Sequence, residues 1–191
     1  MKLTTKDLVL CALFTALACA VSPISIPLPG GVPVTLQQVA VMLAGLILGP
    51  KLGALSMLVY LLLGAVGLPV FAGLSGGLSR IVGPSGGFLV AYPILAAICG
   101  AVYFGFGRHE TGARKYLAMA AGMLIGNIVL YIFGLSWFMY ILGRNLQEAL
   151  ALCMLPFIPG DCLKMVVTGL LVPRLEQALA GVQVSERRPA A

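Results

Sequence analysis

Met154–Pro173 reads MLPFIPGDCLKMVVTGLLVP, and Asp161 and Lys164 are its only charges. A helix of about 20 apolar residues crosses a bilayer, and this stretch is long enough to do so. Ionisable residues at that depth are costly and mark a functional site by default. At spacing i, i+3 the two side chains lie on one helix face and are able to pair. A close pair cancels most of the net charge yet keeps an acceptor and a donor aimed at one spot. That suits a neutral polar ligand carrying both N–H and C=O groups. Pro156, Pro159 and Gly160 break the preceding run, so Asp161 is expected at or near a helix N-cap. There, free N–H groups and the positive helix end stabilise a carboxylate. In the plainer reading Asp161 only caps the helix and Lys164 snorkels to the interface. In the sharper one both face a pocket, with Asp161 accepting ligand N–H groups, and Lys164 donating to a ligand oxygen and holding Asp161 ionised.

Working outward, the whole chain looks alike. Of its 191 residues, 60% are hydrophobic and only 9% are charged, and the mean hydropathy is +1.06. Soluble domains carry about 25% charged residues, and so few charges could not coat a soluble globule. The expected fold is an all-α integral membrane protein, a compact bundle of about six transmembrane helices forming one domain over residues 1–191. Spans are expected near Leu8–Ile26, Thr35–Leu48, Leu52–Leu68, Phe88–Phe106, Tyr116–Tyr140 and Gly160–Val172. Thr5 or Asp7 is the expected cap of the first, and Pro23 and Pro27 should kink and end it. Lys2 and Lys6 before an apolar run resemble a signal peptide, but the run is longer than the usual signal core and reads as a retained span. Residues 182–191 (VQVSERRPAA) read as a disordered tail.

Nine of the twelve Lys and Arg residues fall on one side if six spans start from a cytoplasmic N-terminus. Only Arg80, Arg144 and Lys164 fall on the other. The positive-inside rule therefore places both termini in the cytoplasm. Three unusual features then converge at the outer end: the loop Pro27–Pro33, the glycine-rich segment Gly67–Gly87 and the Asp161/Lys164 turn. Gly67–Gly87 holds seven glycines and two prolines, with Arg80 as its one charge. Irregular backbone at membrane depth is tolerated where it lines a cavity or is buried in protein.

Within that segment GPSGG (Gly83–Gly87) precedes a span, and such a turn exposes N–H groups to an anion or carbonyl. Gly86 and Gly87 are the candidate donors, with the Arg80 guanidinium nearby for a carboxylate. Arg80 serves equally as an interfacial anchor. No Gly-Lys-Ser/Thr follows, so nucleotide binding is unsupported. Phe71, Tyr92 and Tyr131 are candidate apolar walls, and Gln37 and Asn127 candidate polar contacts. Packing, and hydrogen bonds between helices, are the commoner explanations for such residues. The same holds for Gln38, Ser56 and Thr168. Ala12, Ala16 and Ala20 form a small-residue ladder that permits close helix approach, either within the chain or to a separate membrane partner. The five cysteines show no metal or disulfide spacing, and His109 is the single histidine. No nucleophile–base pair, catalytic carboxylate pair, metal motif, cofactor motif or nucleic-acid motif appears, so an enzyme is not expected. No internal repeat of broken helices points to an inverted-repeat transporter.

Together GLPVFAG (Gly67–Gly73), GPSGGFL (Gly83–Leu89), PGDCLK (Pro159–Lys164) and PVTLQ (Pro33–Gln37) resemble BioY, the biotin-binding membrane subunit (S component) of energy-coupling factor vitamin transporters. The family pattern more often reads GPTGGY where this chain has Ser85 and Phe88. The resemblance implies biotin capture from outside a prokaryotic cell membrane, with the loop after the first span, Pro27–Pro33, closing over the ligand. It implies partners as well: a transmembrane coupling subunit met through Ala12, Ala16 and Ala20, and two cytoplasmic ATPases, unless the chain acts alone or as an oligomer. It assigns the ureido ring to Asp161 and Lys164, and the carboxylate to Arg80 or to backbone near Gly86 and Gly87. The reverse assignment, with Lys164 on the carboxylate, stays open. An S component for another vitamin or small heterocycle is the alternative.

Overall fold

The structure is a computed structural model that describes residues 4–26 and 31–179. The tail at 182–191 and residues 27–30 of the first loop lie outside the described residues. Among those described there are eight helices and one two-stranded ribbon. They run α1 (Thr5–Val21), β1 (Ser25–Ile26), β2 (Val34–Thr35), α2 (Gln37–Leu48), α3 (Pro50–Ala65), α4 (Leu78–Val82), α5 (Gly86–Phe106), α6 (Ala113–Leu142), α7 (Leu146–Cys153) and α8 (Ile158–Ala178).

The first helix begins at Thr5, three residues before the expected start of the span. Thr4 is the N-cap, and it forms a capping box with Asp7 at N3 rather than Thr5 or Asp7 capping alone. A hydroxyl followed three residues later by a carboxylate satisfies two end donors reciprocally. The helix ends at Val21, not near Ile26. Pro23 lacks an N–H and disfavours helix in the residue before it. The chain turns there and enters a short antiparallel ribbon, with Ser25 opposite Thr35 and Ile26 opposite Val34.

α2 is buried on nearly every side and packs against α1, α3, α5 and α8. Gly49, at φ 91°, makes the sharp turn into Pro50 at the start of α3. Only glycine adopts that backbone without strain, and proline at N1 needs no N–H partner. α5 and α6 pack along their length.

Helix α8 shows the burial logic most plainly. Asp161, Lys164 and Thr168 are buried, while Leu163, Val166, Val167 and Leu170 are exposed. Polar groups face inward and apolar groups outward, the reverse of a water-soluble helix. α5 and α6 are each long and apolar enough to cross a bilayer. α7 and α8 pass the same test as a pair, bent by 50° at their break. By length and composition alone, two or three elements among the described residues meet that test. α1, α2 and α3, with 17, 12 and 16 residues, fall short of the roughly 20 that span a bilayer upright. Turns at their ends consume residues that hydropathy alone assigns to the spans.

Candidate functional site

A cavity opens at one end of the bundle, between β2, α2, the 67–85 segment, α5, α6 and the start of α8. It encloses about 650 Å³ of empty space, including the part open to the outside. Its walls include Val32, Pro33, Thr35, Phe71, Phe88, Leu89, Tyr92, Leu130 and Phe157. Its polar groups are Gln37, Gln38, Ser75, Arg80, Ser85, Tyr131, Asp161 and Lys164. An apolar pocket with a few convergent polar groups is the usual form of a small-molecule site.

The centre of the site is the pair on α8. Lys164 Nζ lies 2.9 Å from Asp161 Oδ1, and both residues are buried. Asp161 is not at the N-cap. Phe157 holds that position and Asp161 sits inside the helix, its N–H donating to the Phe157 carbonyl at 2.8 Å. Pro159 does not break this helix; it sits in its first turn, where its missing N–H costs nothing. The carboxylate is thus turned inward. Tyr131 Oη donates to Asp161 Oδ2, and Lys164 Nζ also donates to Gln38 Oε1 at 3.1 Å. Gln38 Nε2 in turn donates to Asn127 Oδ1. One network therefore ties α8 to α2 and α6.

Seven of the candidate site residues line this cavity: Asp161, Lys164, Arg80, Phe71, Tyr92, Gln37 and Tyr131. Arg80 is exposed, in the short helix α4 at the edge of the cavity. Phe71 is buried edge-on against Tyr60, with ring centroids 5.5 Å apart. Asn127 does not line the cavity; it stands one residue behind, holding Gln38. Gly86 and Gly87 do not line it either. They are buried in the first turn of α5, and a Cβ on Gly87 would overlap Trp137 and the Phe133 carbonyl. A Cβ on Gly86 would overlap the Ile81 carbonyl. These glycines let α5 approach α4 and α6, so their task here is close packing.

Gln38 links α2 to α6 and α8, as expected for a polar span residue, and also borders the cavity. Phe88, where the family pattern more often has tyrosine, packs edge-on against Tyr131 at 6.3 Å and shapes the wall. The three alanines of α1 are exposed, while Cys11, Phe14, Thr15 and Ala18 face inward. The ladder is therefore not used for packing within the chain. Of the remaining polar span residues, Thr15 and Ser56 join α1 to α3 (2.9 Å), and Thr168 bonds back to the Lys164 carbonyl at 2.7 Å.

The model of the BioY family matches residues 1–181. The chain belongs to the BioY family. Among its relatives, "Probable biotin transporter BioY" of Pyrococcus horikoshii is 44% identical over 171 residues, covering 90% of this chain and 96% of that one. "Biotin transporter BioY" of Rhodobacter capsulatus is 40% identical, covering 90% and 94%. A crystal structure described as the S-component for biotin from an ECF-type ABC transporter superposes with a TM-score of 0.82 at 31% identity. That match covers 92% of this chain and 95% of that one. As a BioY-family member the chain is an all-α integral membrane protein. It shares its fold also with the S component of a bacterial ECF transporter, at a TM-score of 0.56 and 20% identity.

Proposed function

We propose that this chain is the substrate-capture subunit of a biotin uptake system, and that biotin occupies the cavity around Asp161 and Lys164. The observation that carries this is the buried ion pair opening onto an apolar pocket. Lys164 has three N–H donors, two of them engaged by Asp161 and Gln38. Asp161 has two oxygens, one held by Lys164 and the other by Tyr131, with lone pairs left on each. A free donor and a free acceptor thus stand side by side, as the C=O and N–H of a ureido group do. The ligand group is neutral, and so is the pair taken together, so binding buries no net charge. The thiophane and aliphatic chain suit Phe71, Phe88, Tyr92 and Leu130. Arg80, with no ion-pair partner among the described residues, is suited to the carboxylate at the edge of the cavity.

The bundle is read as six membrane crossings with both termini cytoplasmic. In support, Lys51, Arg108, Arg114, Lys115 and Arg174 lie at helix ends remote from the cavity. Biotin then enters from outside the cell membrane. The exposed Ala12, Ala16 and Ala20 face suits close docking of a transmembrane coupling subunit. The chain carries no nucleotide motif, so energy for release comes from ATPase partners. Equilibrium binding of labelled biotin, competed by a panel of other water-soluble vitamins, tests the reading. Competition by unlabelled biotin alone supports it; displacement by a different vitamin at lower concentration replaces biotin as the substrate.

A further inference from the structure

Gln37, Ser22 and Tyr60 form a chain of contacts that ends on the Val70 carbonyl. With the Gln37 amide oxygen toward Ser22, Ser22 Oγ donates to Gln37 Oε1 at 2.7 Å. Ser22 Oγ also lies 2.8 Å from Tyr60 Oη, and Tyr60 Oη donates to the Val70 carbonyl at 3.0 Å. Two hydroxyls bring two protons to three oxygen–oxygen contacts. One contact would then hold two oxygens together with no proton between them, although the side chains of Ser22, Gln37 and Tyr60 are buried. The same amide orientation leaves Gln37 Nε2 buried with no partner, a costly state for a donor.

An amide's oxygen and nitrogen are told apart by their partners. Turning the Gln37 amide over supplies the missing proton. Nε2 donates to Ser22 Oγ, Ser22 donates to Tyr60, and Tyr60 donates to Val70. Each contact then has its proton, and the buried place without a protein partner is taken by the acceptor Oε1 instead of a donor. The neighbouring glutamine has no such freedom. Lys164 only donates, so Gln38 Oε1 must face it, and Gln38 Nε2 must face Asn127 Oδ1.

We infer that Gln37 presents its carbonyl oxygen, not its amino group, to the cavity it lines, and accepts an N–H from the ligand there. Ser22 and Tyr60 are the positioning residues that hold this orientation. The inference rests on the biotin reading and deepens it. The two N–H bonds of a cyclic urea diverge to either side of its carbonyl. A carboxylate that takes one is badly placed for the other, and Gln37 supplies the second acceptor from a different helix. The site then demands a donor on both flanks of the ligand carbonyl. It rejects a ring oxygen on the Gln37 side, where two acceptors would face each other.

The test titrates the purified full chain with biotin and with two cyclic carbamate analogues, each with one ureido N–H replaced by ring oxygen. The wild type should bind both analogues at least about tenfold more weakly than biotin, the loss expected when a buried acceptor goes unpaired. In Gln37→Met that penalty should vanish for one analogue and persist for the other. A penalty unchanged for both overturns the inference. Without ligand, nuclear Overhauser effects should join the Gln37 side-chain amide protons to the Ser22 β-protons. Effects to the Phe71 and Tyr92 rings instead overturn the orientation. A wild type that binds no biotin while keeping the Ser22 effects sinks the biotin reading and leaves the orientation standing.

Discussion

Lys164→Met removes the ammonium and keeps a side chain of similar length, so packing is disturbed little. Lys164 is 5% exposed and Asp161 6%, so water does not take the place of the lost charge. Asp161 is left with the Tyr131 hydroxyl, and Gln38 Oε1 loses its donor. Breaking a buried pair by removing one partner costs about 3–5 kcal/mol. For a domain of this size each kcal/mol lowers the melting temperature by roughly 2–4 °C. The single variant should therefore melt roughly 6–20 °C below wild type in detergent. The fluorescence of Trp137, the one tryptophan, follows the transition. Adding Asp161→Asn to Lys164→Met removes the stranded charge and keeps the shape. The double variant should recover a substantial part of the loss, since a neutral buried couple carries no uncompensated ion. Biotin affinity should fall in both variants. A single variant that melts like wild type, or a double variant that melts lower by the sum of the two singles, refutes the coupling.

Arg80→Ala should weaken biotin by about 3- to 10-fold, a modest effect because Arg80 is exposed. The same variant should leave the affinity for biotin methyl ester unchanged, since the ester carries no carboxylate. Ala16→Trp places bulk on the exposed face of α1; calorimetry should find biotin binding within twofold of wild type, while co-purification with a coupling subunit is lost. Gly87→Leu forces α5 away from Trp137 and should cost about 1–3 kcal/mol by overpacking, read as a lower melting temperature.

The central pair was legible because charge in an apolar run is rare and its spacing sets its direction. Phe71, Tyr92 and Tyr131 were legible as candidates, but only the fold places them on one cavity with Arg80. Gly86 and Gly87 do not line the cavity, and sequence could not show this for a physical reason. A glycine that frees backbone donors and a glycine that admits a neighbouring helix look identical in sequence, and only the position of Trp137 separates them. Asn127 stands behind Gln38 and does not line the cavity, a distinction that only the packing reveals. The adjacent Gln37 and Gln38 project in different directions from one helix, so their distinct tasks required the partners Ser22 and Lys164 to be seen. The ribbon of Ser25–Ile26 and Val34–Thr35 is too short to leave a strand pattern. Hydropathy overran the helix ends at α1, α2 and α3, where turns claim the flanking residues.

If the Asp161–Lys164 couple is the heart of a biotin site, neutralising its carboxylate must weaken biotin. Calorimetric titration of biotin into wild type and Asp161→Asn, side by side in the same detergent, decides the matter. Wild type should show saturable one-site binding, and the variant an affinity at least about tenfold weaker, the loss of a charge-assisted hydrogen bond. Equal affinity in the two proteins, or no heat of binding in either, contradicts it.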